Sequence, residues 1–187
     1  HGIDPGSSVL ENEDLTEAKV FDGVKFPYPD NSFDACFSTY VMEHVKEADA
    51  HMQEVARVLK PGGLYIFRGA NVFHYVTMTA RLTPFWFHKI ANWLRNVPED
   101  FEGPYPTWYR LSTGGQIRRA SAKAGLEIQS LEYIEKEPWY GMVFRPLFWT
   151  FVAYERLVNS TELLRQFRCT LLGVLRKPEA KQAEDAA

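Results

Sequence analysis

Very little in this sequence announces a function through composition. Cysteine is scarce: the chain has two, Cys36 and Cys169, each inside an apolar run that reads as a strand. A pair so placed makes neither a disulfide framework nor a zinc knuckle, and reads as two buried thiols in a reducing compartment, the cytoplasm. An excess of one charge is missing too. Lys and Arg total 21 against 24 Asp and Glu, a net charge of −3, so no global electrostatic attraction singles out a nucleic acid or an anionic surface as partner. No secretory signal is visible, no apolar run is long enough to span a bilayer, and no internal repeat recurs.

What is present is the balance of an ordinary globular domain. Of 187 residues, 45% are hydrophobic and 24% charged, enough for one core. The chain opens at His1, and "HGIDP" reads as the tail of a strand already under way. The expectation is a fragment whose front is absent.

Strands and helices alternate. "AKVFDG" (18–23) is a short strand ending at an Asp-Gly turn, and "FDACFST" (33–39) is a second. A helix follows over about 48–59, where Met52, Val55, Ala56 and Leu59 fall at i, i+3, i+4 and i+7 on one face. "KPGG" ends it, and "LYIFRG" continues as a strand with the near-continuous apolar pattern of a doubly covered position. A further helix is expected after Thr83, with Pro84 in its first turn. Another starts at "TGGQ", where Thr113 can cap and Gln116 can reach back. "LEIQSLEYI" and "FRCTLLGVL" read as the last two strands. Such alternation predicts an α/β fold, doubly wound around a mostly parallel sheet, with ligands at the carboxyl ends of the strands.

Three strand ends carry chemistry. Asp4 follows "GI", where a carboxylate can accept hydrogen bonds from a ribose diol. Asp22 ends the next strand, where it could accept from an adenine amino group. Ser38, Thr39 and Tyr40 supply hydroxyls and backbone groups at the third. An acidic residue after a strand is also an ordinary turn former; the coincidence of all three ends points to a nucleotide-type cofactor.

"KFPYPDNSFDACFSTYVMEHV" followed by "EVARVLKPGGLYIF" resembles the class I S-adenosylmethionine-dependent methyltransferases, in their small-molecule branch. The resemblance runs from Gly2 to about Gly69. It implies a Rossmann-like sheet with an antiparallel last strand, and S-adenosylmethionine as cofactor. It places Asp4, with Pro5 beside it, on the ribose hydroxyls, and Asp22 next to adenine with Phe21 and Gly23 flanking the ring. Ser38, Thr39 and Tyr40 then border the methionine moiety. The family's glycine-rich loop has no counterpart here, because the strand before it is absent. In the family that strand lies centrally, between the one ending at Asp4 and the one over 33–38. Without it the chain is expected to self-associate and to bind the cofactor poorly.

The implied reaction is methyl transfer to a small-molecule, lipid-linked or glycan-linked acceptor, by an enzyme whose 1–178 form one methyltransferase domain. Displacement at a methyl group mainly requires alignment of the acceptor. A general base is needed only where the acceptor must lose a proton, and His44, His74 and Tyr40 are the candidates. His44 also reads as a helix-start histidine bonded to backbone. Some RNA-end methyltransferases of this class hold a divalent ion, and Glu43, His44 and His74 could mimic three of its ligands. Tyr40 stands where the first glutamate belongs, so no metal is expected. A truncated, non-catalytic binding domain is the other alternative.

Residues 72–110 form an aromatic insertion that reads as a lid, as core or as a dimer contact; Phe85, Trp86, Phe87, Trp93, Tyr105, Trp108 and Tyr109 are its rings. The apolar stretch 138–157 reads as core or homodimer packing, with peripheral membrane contact as the alternative. The residues from 179 to 187 read as a disordered tail.

Overall fold

The alternation becomes, in chain order, β1 (Gly2–Asp4), β2 (Ala18–Val20), β3 (Phe33–Thr39), α1 (Ala48–Val58), β4 (Leu59–Ala70), α2 (Tyr75–Leu82), α3 (Gly114–Lys123), β5 (Glu127–Ile134), α4 (Arg145–Asn159) and β6 (Thr170–Arg176). This computed structural model describes residues 1–83, 106–135 and 145–179. The helix expected after Thr83, the rings from Phe85 to Tyr105, the first part of the 138–157 stretch and most of the expected tail lie outside the described residues.

Local chemistry explains the element boundaries. α1 buries Met52, Val55, Ala56 and Val58 and ends one residue earlier than its periodicity suggests. Leu59 opens β4 instead, because it pairs with Phe33 of β3. Gly62 then takes a φ of 80°, which lets the chain turn through "KPGG" at no steric cost. At the start of α3, the Thr113 hydroxyl accepts the Gln116 N–H at 3.2 Å. The Gln116 side chain turns back to accept from the Ser112 N–H at 3.1 Å, one residue before the position a capping box would use. Replacing Thr113 with alanine should lower stability by about 1 kcal/mol. An unchanged unfolding midpoint would show that Gln116 caps the helix without it.

The sheet comes in two pieces. β1 and β2 form a parallel pair, and β3-β4-β6-β5 form a separate four-stranded sheet. β3 runs parallel to β4, whereas β6 is antiparallel to both β4 and β5, so the antiparallel last strand is present. Among the described residues no strand pairs with the second edge of β1 or of β3. A groove separates them.

Register decides which residues meet. Cys36 pairs with Tyr65 and Ser38 with Phe67, while Tyr65 faces Leu175 and Phe67 faces Gly173. These positions share one sheet face with the α1 and α3 stripes, and Met52, Val55, Ile117, Ala120, Tyr65, Phe67, Leu171 and Leu175 form its buried core. The Phe67 ring lies over Gly173 so closely that any Cβ there would overlap it. The alternate residues Phe37, Leu64, Ile66 and Arg68 point to the opposite face. That face is open at β3, where Phe37 is 73% exposed.

Two helices end the description. The 72–110 region begins with α2, which the sequence pattern did not reveal because only Thr77 of its eight residues is buried. Its anchors are rings instead. Tyr75 stacks on Phe151 of α4 at 4.7 Å and meets Tyr154 edge-on at 4.8 Å. α4 thus packs one side on α2 and leaves Trp149 and Leu157 exposed on another. No described helix is long and apolar enough to cross a membrane.

Candidate active site

Parallel strands deliver their carboxyl ends to one edge of a sheet, and here those ends open into a single cleft of about 700 Å³ between β1 and β3. Asp4 and Pro5 after β1, with Phe21 and Gly23 after β2, form one wall. The β3 residues from Ala35 to Thr39, then Tyr40, Val41 and His44, form the other. His51, Val55 and Val58 of α1 and Tyr65 of β4 close the bottom, and Pro106 and Trp108 stand at the mouth.

Each wall is held by its own turn chemistry. Asp4 Oδ1 accepts the Gly6 N–H at 2.7 Å, which fixes the carboxylate at the cleft. Gly23 has a φ of 79° and faces Pro5 across the two loops. Asp22 behaves differently. Its Oδ1 accepts both the Val24 and Lys25 N–H groups at 2.9 Å. Those bonds, Lys25 foremost, hold its carboxyl below the usual carboxylate range. It faces an adjoining depression beside Val20, Lys25 and Pro27 rather than the cleft.

The β3 wall is partly committed to the core. Ser38 Oγ and Tyr65 Oη are hydrogen-bonded at 2.6 Å, and the Tyr65 hydroxyl also reaches Met42 Sδ at 3.3 Å. Ser38 therefore presents mainly backbone, whereas Thr39 and Tyr40 are exposed. Cys36 also lines the cleft, but burial pushes its thiol up to about 11, which leaves it un-ionised and a poor nucleophile.

His44 and His74 part company. His44 lines the cleft and donates Nδ1–H to the Pro106 carbonyl at 3.1 Å. That bond ties the short 42–44 turn to the 106–109 segment, whose Trp108 and Tyr109 N–H groups both donate to the Glu43 carbonyl. Lys46 sits over the Trp108 ring at 5.4 Å. His74 does not line the cleft; it is buried at the start of α2, with Nε2 3.4 Å from Glu135 Oε1. Burial works against its charge, but the Cys169 sulfur and the Glu135 carboxylate outweigh it and raise the imidazole to about 9. Glu43 is buried with its carboxyl raised by burial. Among the described residues no three His, Cys, Asp or Glu side chains are grouped to hold a metal ion, and Glu43, His44 and His74 do not converge.

Sequence reasoning missed His51. Its ring meets Phe26 edge-on at 5.6 Å, and its Nε2 is buried without a hydrogen-bond partner among the described residues. Burial lowers it to about 4, so a neutral imidazole faces the cleft. Nothing in "ADAHMQ" marks it, since it sits beside the α1 stripe and only the neighbouring wall makes it part of a site.

The methyltransferase domain family matches residues 2–67. The chain is 40% identical over 58 residues to sterol 24-C-methyltransferase ERG6B of Gibberella zeae, covering 29% of this chain and 15% of that protein. It is 33% identical over 66 residues to the ubiquinone/menaquinone biosynthesis C-methyltransferase UbiE of Chromobacterium violaceum, covering 35% and 27%. Both matches span well under half of the relative's length. In fold it is similar to an S-adenosylmethionine dependent methyltransferase from Mesorhizobium loti, with a TM-score of 0.56 at 20% identity over 94% of this chain and 78% of that one.

Proposed function

We propose that this chain, whose residues 2–67 match the methyltransferase domain family, is a class I S-adenosylmethionine-dependent methyltransferase that binds S-adenosylmethionine in the cleft between β1 and β3 and serves methyl transfer to a small-molecule, lipid-linked or glycan-linked acceptor. The observation that carries this reading is the meeting of three strand ends, those of β1, β2 and β3, in one cleft with an acidic residue on one wall and a hydroxyl-bearing loop on the other.

The donor set fits such a cofactor. Asp4 is an anionic acceptor for a diol, and Phe21 offers an aromatic surface to a purine, braced edge-on by Phe26 at 5.7 Å. The Thr39–Tyr40 backbone borders the remainder. Asp22, turned into its own loop, contributes by shaping the wall. When bound, the cofactor supplies an electrophilic methyl group. The chain's own residues then hold the acceptor in line and exclude water, and such positioning accounts for up to roughly 7–11 kcal/mol of a barrier. Trp108 at the mouth and Val41 on the β3 wall present apolar surface to the acceptor. His44 is the imidazole placed to take a proton where an acceptor must lose one. The sterol and quinone methyltransferases among the relatives support an apolar acceptor within this class.

With the family's first strand and glycine-rich loop supplied ahead of His1, calorimetric titration with S-adenosylhomocysteine is expected to show saturable one-site binding, and labelled methyl groups should pass into organic-extractable product. Absence of saturable binding would sink the reading. Binding without any transfer would leave a non-catalytic binding domain.

A further inference from the structure

Tyr40 is the one residue of the cleft wall whose backbone is strained. It follows β3 directly and has a φ of 54°, a left-handed conformation that is unfavourable for a side-chain-bearing residue unless its surroundings enforce it. The enforcing contacts all come from Arg68 of β4, which pairs with Thr39 in the register. The Tyr40 N–H donates to the Arg68 carbonyl at 2.7 Å. Arg68 Nη2 donates to the Tyr40 hydroxyl at 2.9 Å, and the guanidinium carbon lies 4.8 Å from the ring centroid. Arg68 thus grips backbone, hydroxyl and ring at once, without itself lining the cleft.

Arg68 is a poor choice for the sheet alone. It shares its face with Leu64 and Ile66, and its Nε is buried without a partner among the described residues. An unsatisfied buried donor is destabilising, and an apolar side chain at this position would avoid it. The contacts it does make converge on Tyr40.

Resting on the proposed function, we propose that Arg68 is a positioning residue: it holds Tyr40 in its left-handed conformation, so that the turn after β3 and the ring on it stand where the cofactor's methionine end is bordered. The guanidinium acts through Tyr40 and touches neither cofactor nor acceptor. A lysine would keep the charge but lose the planar fork that reaches hydroxyl and ring together.

The test uses the intact protein with ¹³C-labelled tyrosine rings, the Tyr40 signal being assigned by its loss in Tyr40→Phe. In Arg68→Met the Tyr40 ring signal should move towards the position of a solvent-exposed tyrosine. The dissociation constant for S-adenosylhomocysteine should rise about tenfold, the scale of one lost charge-assisted hydrogen bond, and Arg68→Lys should restore only part of it. Glycine adopts a positive φ freely, so in a Tyr40→Gly background Arg68→Met should change affinity by less than about twofold. An unmoved ring signal would overturn the proposal, as would a moved ring with unchanged affinity, or an equal loss in both backgrounds. Failure of the unsubstituted protein to bind S-adenosylhomocysteine would instead remove the proposed function, and with it this role.

Discussion

Glu135→Ala should lower stability by about 3–5 kcal/mol, the cost of breaking a buried ion pair from one side. The Glu135 side chain is 6% exposed and that of its partner His74 is 3% exposed. Its second oxygen accepts the Cys169 N–H at 2.9 Å, just before β6 begins. Alanine would strand a buried imidazolium and an orphaned backbone donor together, at the point where α2, α4 and β6 meet. The pair also makes stability depend on pH. Folding raises His74 from the ordinary 6.5 to about 9, so the native state binds its proton more tightly than the unfolded chain. The stabilisation is complete below pH 6.5 and is lost progressively as pH rises through 9. Glu135→Gln keeps an acceptor for Cys169 but not the charge, and should flatten that dependence. Urea unfolding across this pH range decides the matter. A Glu135→Ala variant within about 0.5 kcal/mol of the parent, the usual span of a neutral surface change, would show that the pair is not holding these elements together.

Asp4→Asn should weaken S-adenosylhomocysteine binding to the intact protein by about 1.5–3 kcal/mol, or roughly 10- to 150-fold, the range for a lost charged hydrogen bond. Asparagine separates function from structure cleanly at this site. Its side-chain oxygen can still accept the Gly6 N–H that Asp4 Oδ1 accepts now, so the turn survives while the anionic acceptor for a diol is gone. The unfolding midpoint should therefore stay put as affinity falls. Asp22→Asn makes the contrast: that carboxylate is spent on Val24 and Lys25, and the change should move affinity far less. A large loss at Asp22 with none at Asp4 would mean that the ribose is held by the β2 loop rather than the β1 loop.

The two aspartates also show why the site was only half legible. In sequence they look alike, each an acid directly after a short strand. Whether such an acid faces a ligand or its own loop depends on which backbone N–H groups lie within reach. Asp22 has two and Asp4 one, and no periodicity encodes that. His44 and His74 were likewise equivalent as titratable groups near strand ends. Long-range packing took His74 to Glu135 and Cys169, 61 and 95 positions further along the chain, and left His44 beside Pro106 in the cleft.

Period and punctuation were enough for the strand over 33–39, the α1 stripe, the cap at Thr113 and the α/β class, because each depends on neighbours within a few residues. Tertiary structure alone decided the rest. The separation of β1–β2 from the four-stranded sheet makes the cleft, and it follows from pairing between distant strands. α2 is held by rings of α4 rather than by an apolar stripe of its own. His51 became part of a site only because a wall stands opposite it. Tyr40 carries a strained backbone that its residue type argues against, and Arg68, 28 residues away, supplies the contacts that hold it there. Local propensity is a property of a short window of chain, whereas which side chains share a cleft is set by register and packing between segments that the sequence keeps far apart.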